Sequence, residues 1–281
     1  MAKLLGVRGS NPARLLVKAG SRGLKVIDPR RMAAGKDATA AVARLTAPSA
    51  EVADIIYQYV FNESLAGRWQ YITRIWVGVT NIASAYTCLK TGSTAVPTAT
   101  FAWSATTGVI MRYNNVGGPG GQIDLNYDPS ADFASIADLV CGNVCSGVGY
   151  TGSISAGAYT LSCTQNGLPS VYQNRSDNGE RAILNGSTAT LTLNPDEFNN
   201  RVFRIDSTAA SIPRLRVDAE EALGTFAPFV PDPPDTCQIG GVNNGDNIGM
   251  YWKMAYFATA DLEWPGFRDN TQNMLDSLRA L

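Results

Sequence analysis

Residues 237–262 read CQIGGVNNGDNIGMYWKMAYFATADL, and this stretch carries the strongest fold signal in the chain. Ile239 and Gly240 lead into a turn-forming run of Gly, Asn and Asp over residues 241–247. From Ile248 to Phe257 apolar residues alternate with others, as is typical of a strand with one buried face. The stretch therefore predicts a turn followed by the last core strand of a β-structure.

The same period of two recurs upstream, beginning at Trp69. It runs through WQYITRIWVGV (69–79) and FAWSATTGVIMRYNN (101–115). Short strand candidates then follow with Gly, Asn and Pro between them, at 121–127, 136–141, 158–163, 181–185, 188–193, 201–206 and 212–217. Many short strands with turn signals predict a mainly β protein, an antiparallel jelly-roll-like β-sandwich.

Two segments have helical patterns instead. Residues 38–66 contain apolar residues at helical spacing, with Ser49 as a candidate N-cap. At the other end, residues 264–281 place apolar side chains on one stripe, which predicts a short C-terminal helix. The Pro-rich run 225–236 before it is predicted to be a connecting loop.

The first 45 residues are strongly basic. They hold ten Lys and Arg against two Asp, a charge of +8, so the other 236 residues sum to −9. Closely spaced Gly and Pro in this segment predict an extended N-terminal arm (1–45) on a sandwich domain (46–281). A basic arm on an acidic body favours attachment to an acidic surface, although a solvated flexible terminus is the alternative. The candidate partner-binding residues are Arg8, Arg14, Lys18, Arg22, Lys25, Arg30 and Arg31.

The 281 residues include no histidine. This excludes Ser-His-Asp and Cys-His catalysis and histidine-ligated metals. Five cysteines are present, and a zinc site without histidine would need four of them as thiolates. Buried thiols are the favoured interpretation and one disulfide the alternative. The residues therefore predict no enzyme and no bound cofactor apart from the calcium considered below.

The opening stretch resembles the ending of concanavalin A/laminin-G-like sandwich modules found in tailed-phage virion proteins. The resemblance lies in Gln238-Ile239-Gly240, the loop that follows, the strand Ile248–Phe257, Ala260-Asp261-Leu262 and the terminal helix. The chain departs from the pattern where Gly249 is followed by Met250-Tyr251-Trp252. The resemblance implies a fold, with glycan binding, glycoside hydrolysis and a structural role as competing functions. The E-x-D-x-x-E strand of laminarinase-like relatives is absent, which argues against hydrolysis.

Glycan binding in such sandwiches uses loop carboxylates for calcium and an aromatic platform for the sugar. Asp246 with Asn243 and Asn247 supplies oxygen atoms of the kind that calcium takes, but the same residues also form tight turns. Asp177 lies in a second acidic loop and is a glycan candidate. Trp264, beside Pro265 at the start of the C-terminal helix, is the candidate for an exposed sugar contact.

These observations predict a non-enzymatic structural protein of a tailed-phage particle, a capsid decoration or auxiliary protein anchored by its arm. Its expected partners are the major capsid protein or other virion proteins and further copies of itself. With no signal peptide or membrane-spanning run visible, the expected location is the virion, after synthesis in the host cytoplasm. Nucleic-acid binding is not supported because the arm lacks interleaved aromatics. The alternative is a lectin-like receptor-binding or tail/fibre protein that recognises a host surface glycan.

Overall fold

The computed structural model describes residues 16–20, 23–111, 122–129, 132, 140–149, 158–162, 170–174, 179–184, 187–192, 201–207, 212–225, 237–242, 249–259 and 262–281. Its helices are α1 (Pro29–Val42), α2 (Ala50–Leu65), α3 (Ile82–Ala85) and α4 (Trp264–Arg279). Its strands are β1 (Leu16–Gly20), β2 (Gly23–Ile27), β3 (Ile72–Val77), β4 (Val96–Pro97), β5 (Ala102–Ser104), β6 (Gly108–Met111), β7 (Ile123–Asp124), β8 (Val140–Gly149), β9 (Ala158–Ser162), β10 (Ser170–Asn174), β11 (Gly179–Leu184), β12 (Ser187–Thr192), β13 (Arg201–Ser207), β14 (Pro213–Val217), β15 (Glu220–Leu223), β16 (Gln238–Ile239), β17 (Gly241–Val242) and β18 (Gly249–Ala258).

Two eight-stranded antiparallel sheets form the body of the protein. The first runs in the order β12-β11-β10-β9-β16-β7-β4, and β17 also pairs with β9. The second runs β15-β14-β13-β8-β18-β6-β5, and β3 also pairs with β18. Strands β1 and β2 form a separate two-stranded sheet. The predicted antiparallel β-sandwich is therefore confirmed.

Strand β18 is the central strand of the second sheet and corresponds to the stretch quoted above. Along one edge it pairs with β8. Along its other edge Met250–Trp252 pair with β6 and Met254–Ala258 pair with β3. A bulge between Trp252 and Met254 separates the segment of β18 that pairs with β6 from the segment that pairs with β3. The prediction that this segment is a core strand is confirmed.

Side chains from both sheets fill the sandwich interior. From the second sheet come Trp76, Val109, Trp252 and Phe257, and from the first come Ile123, Leu161 and Ile239, all buried. The outer face of the second sheet packs instead against the helices. Met254 and Tyr256 of β18 lie in this second core with Ile56, Phe267, Leu275 and Leu278 of α2 and α4. The molecule thus has three layers, with β18 contributing to both cores.

Residues 29–42 form a helix, so the expectation of an extended arm up to residue 45 is wrong for this part. The side chain of Asp28 caps α1 by accepting a hydrogen bond from the backbone N–H of Arg30 at 2.9 Å, and Pro29 occupies the first turn. Ala34, Ala38 and Ala41 are buried. The alanine spacing that builds this face was obscured by the charge and glycine content on which the arm prediction depended.

A buried ion pair fastens α2 to α4. The Glu63 carboxylate is fully buried and accepts hydrogen bonds from Arg68 Nε (2.8 Å) and Nη2 (2.9 Å) and from Asn270 Nδ2 (2.6 Å). Arg68 Nη1 also contacts Glu263 at 2.8 Å. The pKa of the Arg68 guanidinium is raised, chiefly by its hydrogen bonds with Glu63 and to a lesser degree by Glu263. The predicted C-terminal helix is therefore present and anchored by both polar and apolar contacts.

Of the cysteines that the structure describes, three are free thiols and one is in a disulfide. Cys88, Cys141 and Cys145 carry buried thiols. Cys237 is disulfide-bonded, as the alternative interpretation expected of one pair. Cys237 directly precedes β16, and its backbone forms hydrogen bonds with Leu125 and Tyr127. The disulfide therefore lies beside the segment that follows β7.

Candidate functional site

Several predicted site residues fall outside the part of the chain that the structure describes. These are Asn243, Asp246, Asn247, Asp177, Arg8, Arg14 and Arg22. Lys18 of β1 and Lys25 of β2 occupy directly opposite positions in their hairpin. Arg30 and Arg31 are exposed in the first turn of α1. Among the predicted site residues that the structure describes, Arg30 and Arg31 make no side-chain hydrogen bond with Trp264.

The expectation that Trp264 is an exposed sugar contact is wrong. Its side chain is 8% exposed and belongs to the core between the helices and the second sheet. The indole Nε1 donates a hydrogen bond to the backbone carbonyl of Asp218 at 2.9 Å. Arg268 Nη1 donates to the same carbonyl at 3.3 Å, so the β14–β15 turn covers the indole. A tryptophan next to proline at a helix start looked like a surface residue because the hairpin that covers it is distant in sequence.

The described residues contain a different polar group, formed by Arg74, Tyr127 and Asp132. Arg74 lies on β3 opposite Phe257 of β18. It is two residues from Trp76, so both point to the interior side of the sheet. Because Arg74 is near the start of β3, its guanidinium reaches the rim of the sandwich, where its side chain is 21% exposed. Strand alternation thus positions the cation of the site.

Tyr127 and Asp132 come from the segment that follows β7. Asn126 adopts a left-handed conformation (φ 48°), and its N–H bonds the Asp124 carboxylate at 2.7 Å, which turns the chain. The backbone of Tyr127 is held by the N–H of Cys237 at 2.9 Å. Asp132 N–H bonds the carbonyl of Pro129 at 3.0 Å. These local bonds bring the segment across to β3.

The three side chains meet at one carboxylate oxygen. Asp132 Oδ2 lies 3.0 Å from Arg74 Nη1 and accepts a hydrogen bond from Tyr127 Oη at 3.0 Å. The Arg74 guanidinium sits over the Tyr127 ring, 4.7 Å from its centroid, as in a cation–π contact. The Phe257 ring packs against Tyr127 with a centroid separation of 4.8 Å. The tyrosine is therefore held between a cation and the aromatic core.

Burial keeps the phenol protonated. Desolvation raises the pKa of Tyr127 far above its usual value, and the nearby Asp132 carboxylate adds to this, while Thr73 and Arg74 act in the opposite direction. The protonated phenol donates its hydrogen bond to the carboxylate of Asp132. The acceptor and the cation are thus held side by side by their contacts with Tyr127.

Part of this hydrogen-bonding capacity remains available at the rim. Among the described residues no partner contacts Asp132 Oδ1 or the Nε and Nη2 of Arg74. The Asp132 side chain is 24% exposed and that of Arg74 is 21% exposed. Charged acceptors and donors placed side by side are suited to bind a pair of neighbouring hydroxyl groups.

No protein-family model matches the chain, and no curated protein resembles it in sequence. Solved structures do resemble it. A structure of botulinum neurotoxin type C, whose uptake into cells depends on interaction with two ganglioside molecules, aligns with a TM-score of 0.56 and 9% identity over 76% of this chain and 53% of that one. The binding domain of botulinum neurotoxin DC, in complex with rat synaptotagmin II, aligns with a TM-score of 0.54 and 9% identity over 74% and 52%. The chain thus spans about half of each toxin chain.

The carbohydrate recognition domain of Emp47p aligns with a TM-score of 0.45 and 12% identity, over 68% of this chain and 98% of that one. At such low sequence identities the similarity is evidence for a shared fold alone. The chain shares its β-sandwich fold with the two toxin structures. The concanavalin A-like resemblance inferred from residues 237–262 is confirmed at that level, whereas its link to phage proteins is not shown.

The described ranges contain no group of three or more His, Cys, Asp or Glu that could hold a metal ion. None of the helices described is long and apolar enough to cross a membrane. The calcium candidates around Asp246 stay a prediction, since they lie between the described ranges.

Sequence reasoning missed the Arg74 group. The segment 126–132 reads NYDPSAD, and an aromatic residue followed by acids after a strand was the available signal. Nothing in that run indicates that it meets β3. The pairing of Arg74 with Asp132 therefore had to come from the structure.

Proposed function

We propose that this protein is a non-enzymatic glycan-binding module. The fold supports this alternative better than the capsid decoration role predicted from the family resemblance and the charge pattern. The observation on which the proposal depends is the Arg74–Asp132 pair at the sandwich rim, with its unused donors and acceptor. The ligand is a surface glycan that presents adjacent hydroxyl groups.

The chemistry of the group suits sugar hydroxyls. One hydroxyl donates to Asp132 Oδ1 while its neighbour accepts from Arg74 Nη2. The Tyr127 hydrogen bond and the aromatic contacts behind it preorganise both partners, which lowers the entropic cost of binding. Hydrogen bonds to charged groups contribute about 1.5–3 kcal/mol each.

The group does not suit hydrolysis. Glycosidases generally place two carboxyl groups across the scissile bond, one of them protonated. The Arg74 group supplies one carboxylate, which pairs with a guanidinium and accepts a hydrogen bond from a phenol. We therefore propose binding without turnover.

The test is a glycan array followed by titration calorimetry with the best ligand. Asp132→Asn removes the charged acceptor and Arg74→Lys removes the fork of donors, and each is expected to weaken binding at least about tenfold. Asp269→Asn is the matched control, because Asp269 is an exposed aspartate paired with Arg268 at 2.7 Å on the helical layer. Thermal unfolding of every variant separates lost binding from lost structure. Wild-type protein that binds no glycan, or an Asp132→Asn variant that binds as tightly, contradicts the proposal.

The same array tests the calcium prediction. Binding is measured with calcium and with chelator, and for Asp246→Ala. Calcium-dependent binding lost in Asp246→Ala supports a site at Asn243, Asp246 and Asn247. Binding that is unchanged by the chelator assigns recognition to a calcium-independent site.

Attachment to a virion through the arm stays a prediction from the charge distribution. The helix α1 sharpens its test, because removal of residues 1–27 leaves the Asp28 cap in place whereas a longer deletion would damage a packed helix. The shortened protein is expected to fold but to lose its salt-sensitive association with acidic partners. Association that persists unchanged without residues 1–27 contradicts an anchoring arm.

A further inference from the structure

In the sandwich interior, two tryptophan side chains and one asparagine side chain have polar atoms without hydrogen-bond partners in the described structure. Asn143 of β8 is fully buried, and neither Nδ2 nor Oδ1 has a hydrogen-bond partner in the described structure. The same holds for the indole Nε1 of Trp76 and of Trp252, both fully buried. Buried polar groups in native proteins are nearly always paired, so these atoms require an explanation.

The strand register places the three residues close together. Trp76 on β3 lies opposite Ala255 on β18, and Ala255 lies opposite Asn143 on β8, so the three form one row across adjacent strands. Asn143 is two residues from both Cys141 and Cys145, which face the interior, and therefore faces the same way. Trp252 lies opposite Cys145, which is two residues from Asn143 and is therefore the next residue on the interior face of β8.

Ala255, which carries only a methyl group, lies between Trp76 and Asn143 in this row. Neighbouring strands are ~4.8 Å apart, so the backbones at Trp76 and Asn143 are separated by about twice that distance. An asparagine amide offers two donors and an acceptor, and each indole offers one donor. This set provides the two to four partners that a buried water needs.

We propose that the sandwich interior holds at least one ordered water molecule bound to the Asn143 amide and to the indole of Trp76 or Trp252. Water is the ligand because Asn143, Trp76, Trp252 and Ala255 are all fully buried, which leaves no opening for a larger molecule. The site is separate from the Arg74 group and does not depend on glycan binding.

The chain contains its own controls for the test. Trp103 Nε1 donates to the carbonyl of Gly78 at 2.9 Å and Trp264 Nε1 to that of Asp218 at 2.9 Å, so these indoles are satisfied by protein. Rotating-frame cross-relaxation between water and each indole N–H is measured on ¹⁵N-labelled protein, with signals assigned through Trp76→Phe and Trp252→Phe. Contact with long-lived water is expected at Trp76 or Trp252, and none at Trp103 or Trp264.

A second measurement uses a variant that lacks the Asn143 amide. In Asn143→Leu the water signal is expected to disappear while the fold is retained. If this variant does not fold, the wild-type spectrum and a high-resolution crystal structure decide instead. Absence of water contact at both Trp76 and Trp252, or a crystal structure without water within hydrogen-bond distance of Asn143, overturns the proposal.

Discussion

Arg68 holds the buried carboxylate of Glu63 through two parallel hydrogen bonds of 2.8 and 2.9 Å. Because Asn270 of α4 binds the same carboxylate, this pair connects the helical layer as well as neutralising the charge. Replacing Arg68 with Met leaves an uncompensated anion in the core and is expected to destabilise the protein by about 3–5 kcal/mol. Urea denaturation measures the loss.

The double variant Arg68→Met, Glu63→Leu separates charge from packing. Removing both partners is expected to restore much of the stability, because apolar replacements of buried ion pairs are often neutral. A double variant as unstable as Arg68→Met alone would show that the charge of Glu63 is not the cause.

Lys253 makes stability depend on pH. Burial, and then the positive charge of Arg279, lower its pKa to about 8, and the residue is buried. The unfolded value is about 10.4, so between pH 8 and 10.4 the unfolded chain binds more protons and stability rises with pH. Lys253→Met is expected to be more stable than the wild type by about 3 kcal/mol at pH 7, because a pKa difference of one corresponds to about 1.4 kcal/mol. The stability of this variant should also rise less steeply with pH.

Denaturation midpoints from pH 6 to 10 check this, with Lys36→Met on the exposed face of α1 as the control. A profile for Lys253→Met with the same slope as wild type would assign the pH dependence to other groups.

Trp264 should behave as a structural residue. Trp264→Phe loses the hydrogen bond to the Asp218 carbonyl and is expected to cost about 1–2 kcal/mol, whereas Trp264→Ala also loses the packing and should cost about 3–5 kcal/mol. Calorimetric unfolding measures both. Glycan affinity of Trp264→Phe should equal that of wild type, and a selective loss of binding would restore Trp264 as a contact residue.

Gly108 occupies a position that excludes a side chain. Its φ is +76°, and an added Cβ would collide with the Trp252 carbonyl. Gly108→Ala is therefore expected to destabilise the protein by at least about 1–3 kcal/mol. Gly67→Ala is the comparison, since it shares a positive φ (75°) but meets only the end of Gln70 at 3.9 Å. Equal losses in thermal melts would assign the whole effect to backbone conformation.

The sequence predicted those parts of the fold that depend on local periodicity. Alternation along 248–257 gave β18 to within a residue at each end, and Ser49 was correctly identified as the cap of α2. Strands β10 and β15 were not predicted, because their short runs contain polar or charged residues and little alternation.

What could not be predicted depends on contacts between distant segments. The burial of Trp264 requires the β14–β15 turn, and the candidate site requires residue 132 to reach β3. Neither contact is marked by a periodic pattern in the sequence. The start of α1 is a different case: Asp28-Pro29 is a recognisable cap, but the basic charge of the segment favoured an arm.

The position of β18 between β8 on one side and β3 with β6 on the other has a kinetic consequence. Thr73 and Phe257, which contact each other through a hydrogen bond, are 184 residues apart in sequence. Before β18 joins the sheet, the edge of β8 and the edges of β3 and β6 are unpaired. Each of these edges can accept a strand from another molecule. Closing so long a loop slows folding, so refolding should be slow and its yield should fall as protein concentration rises.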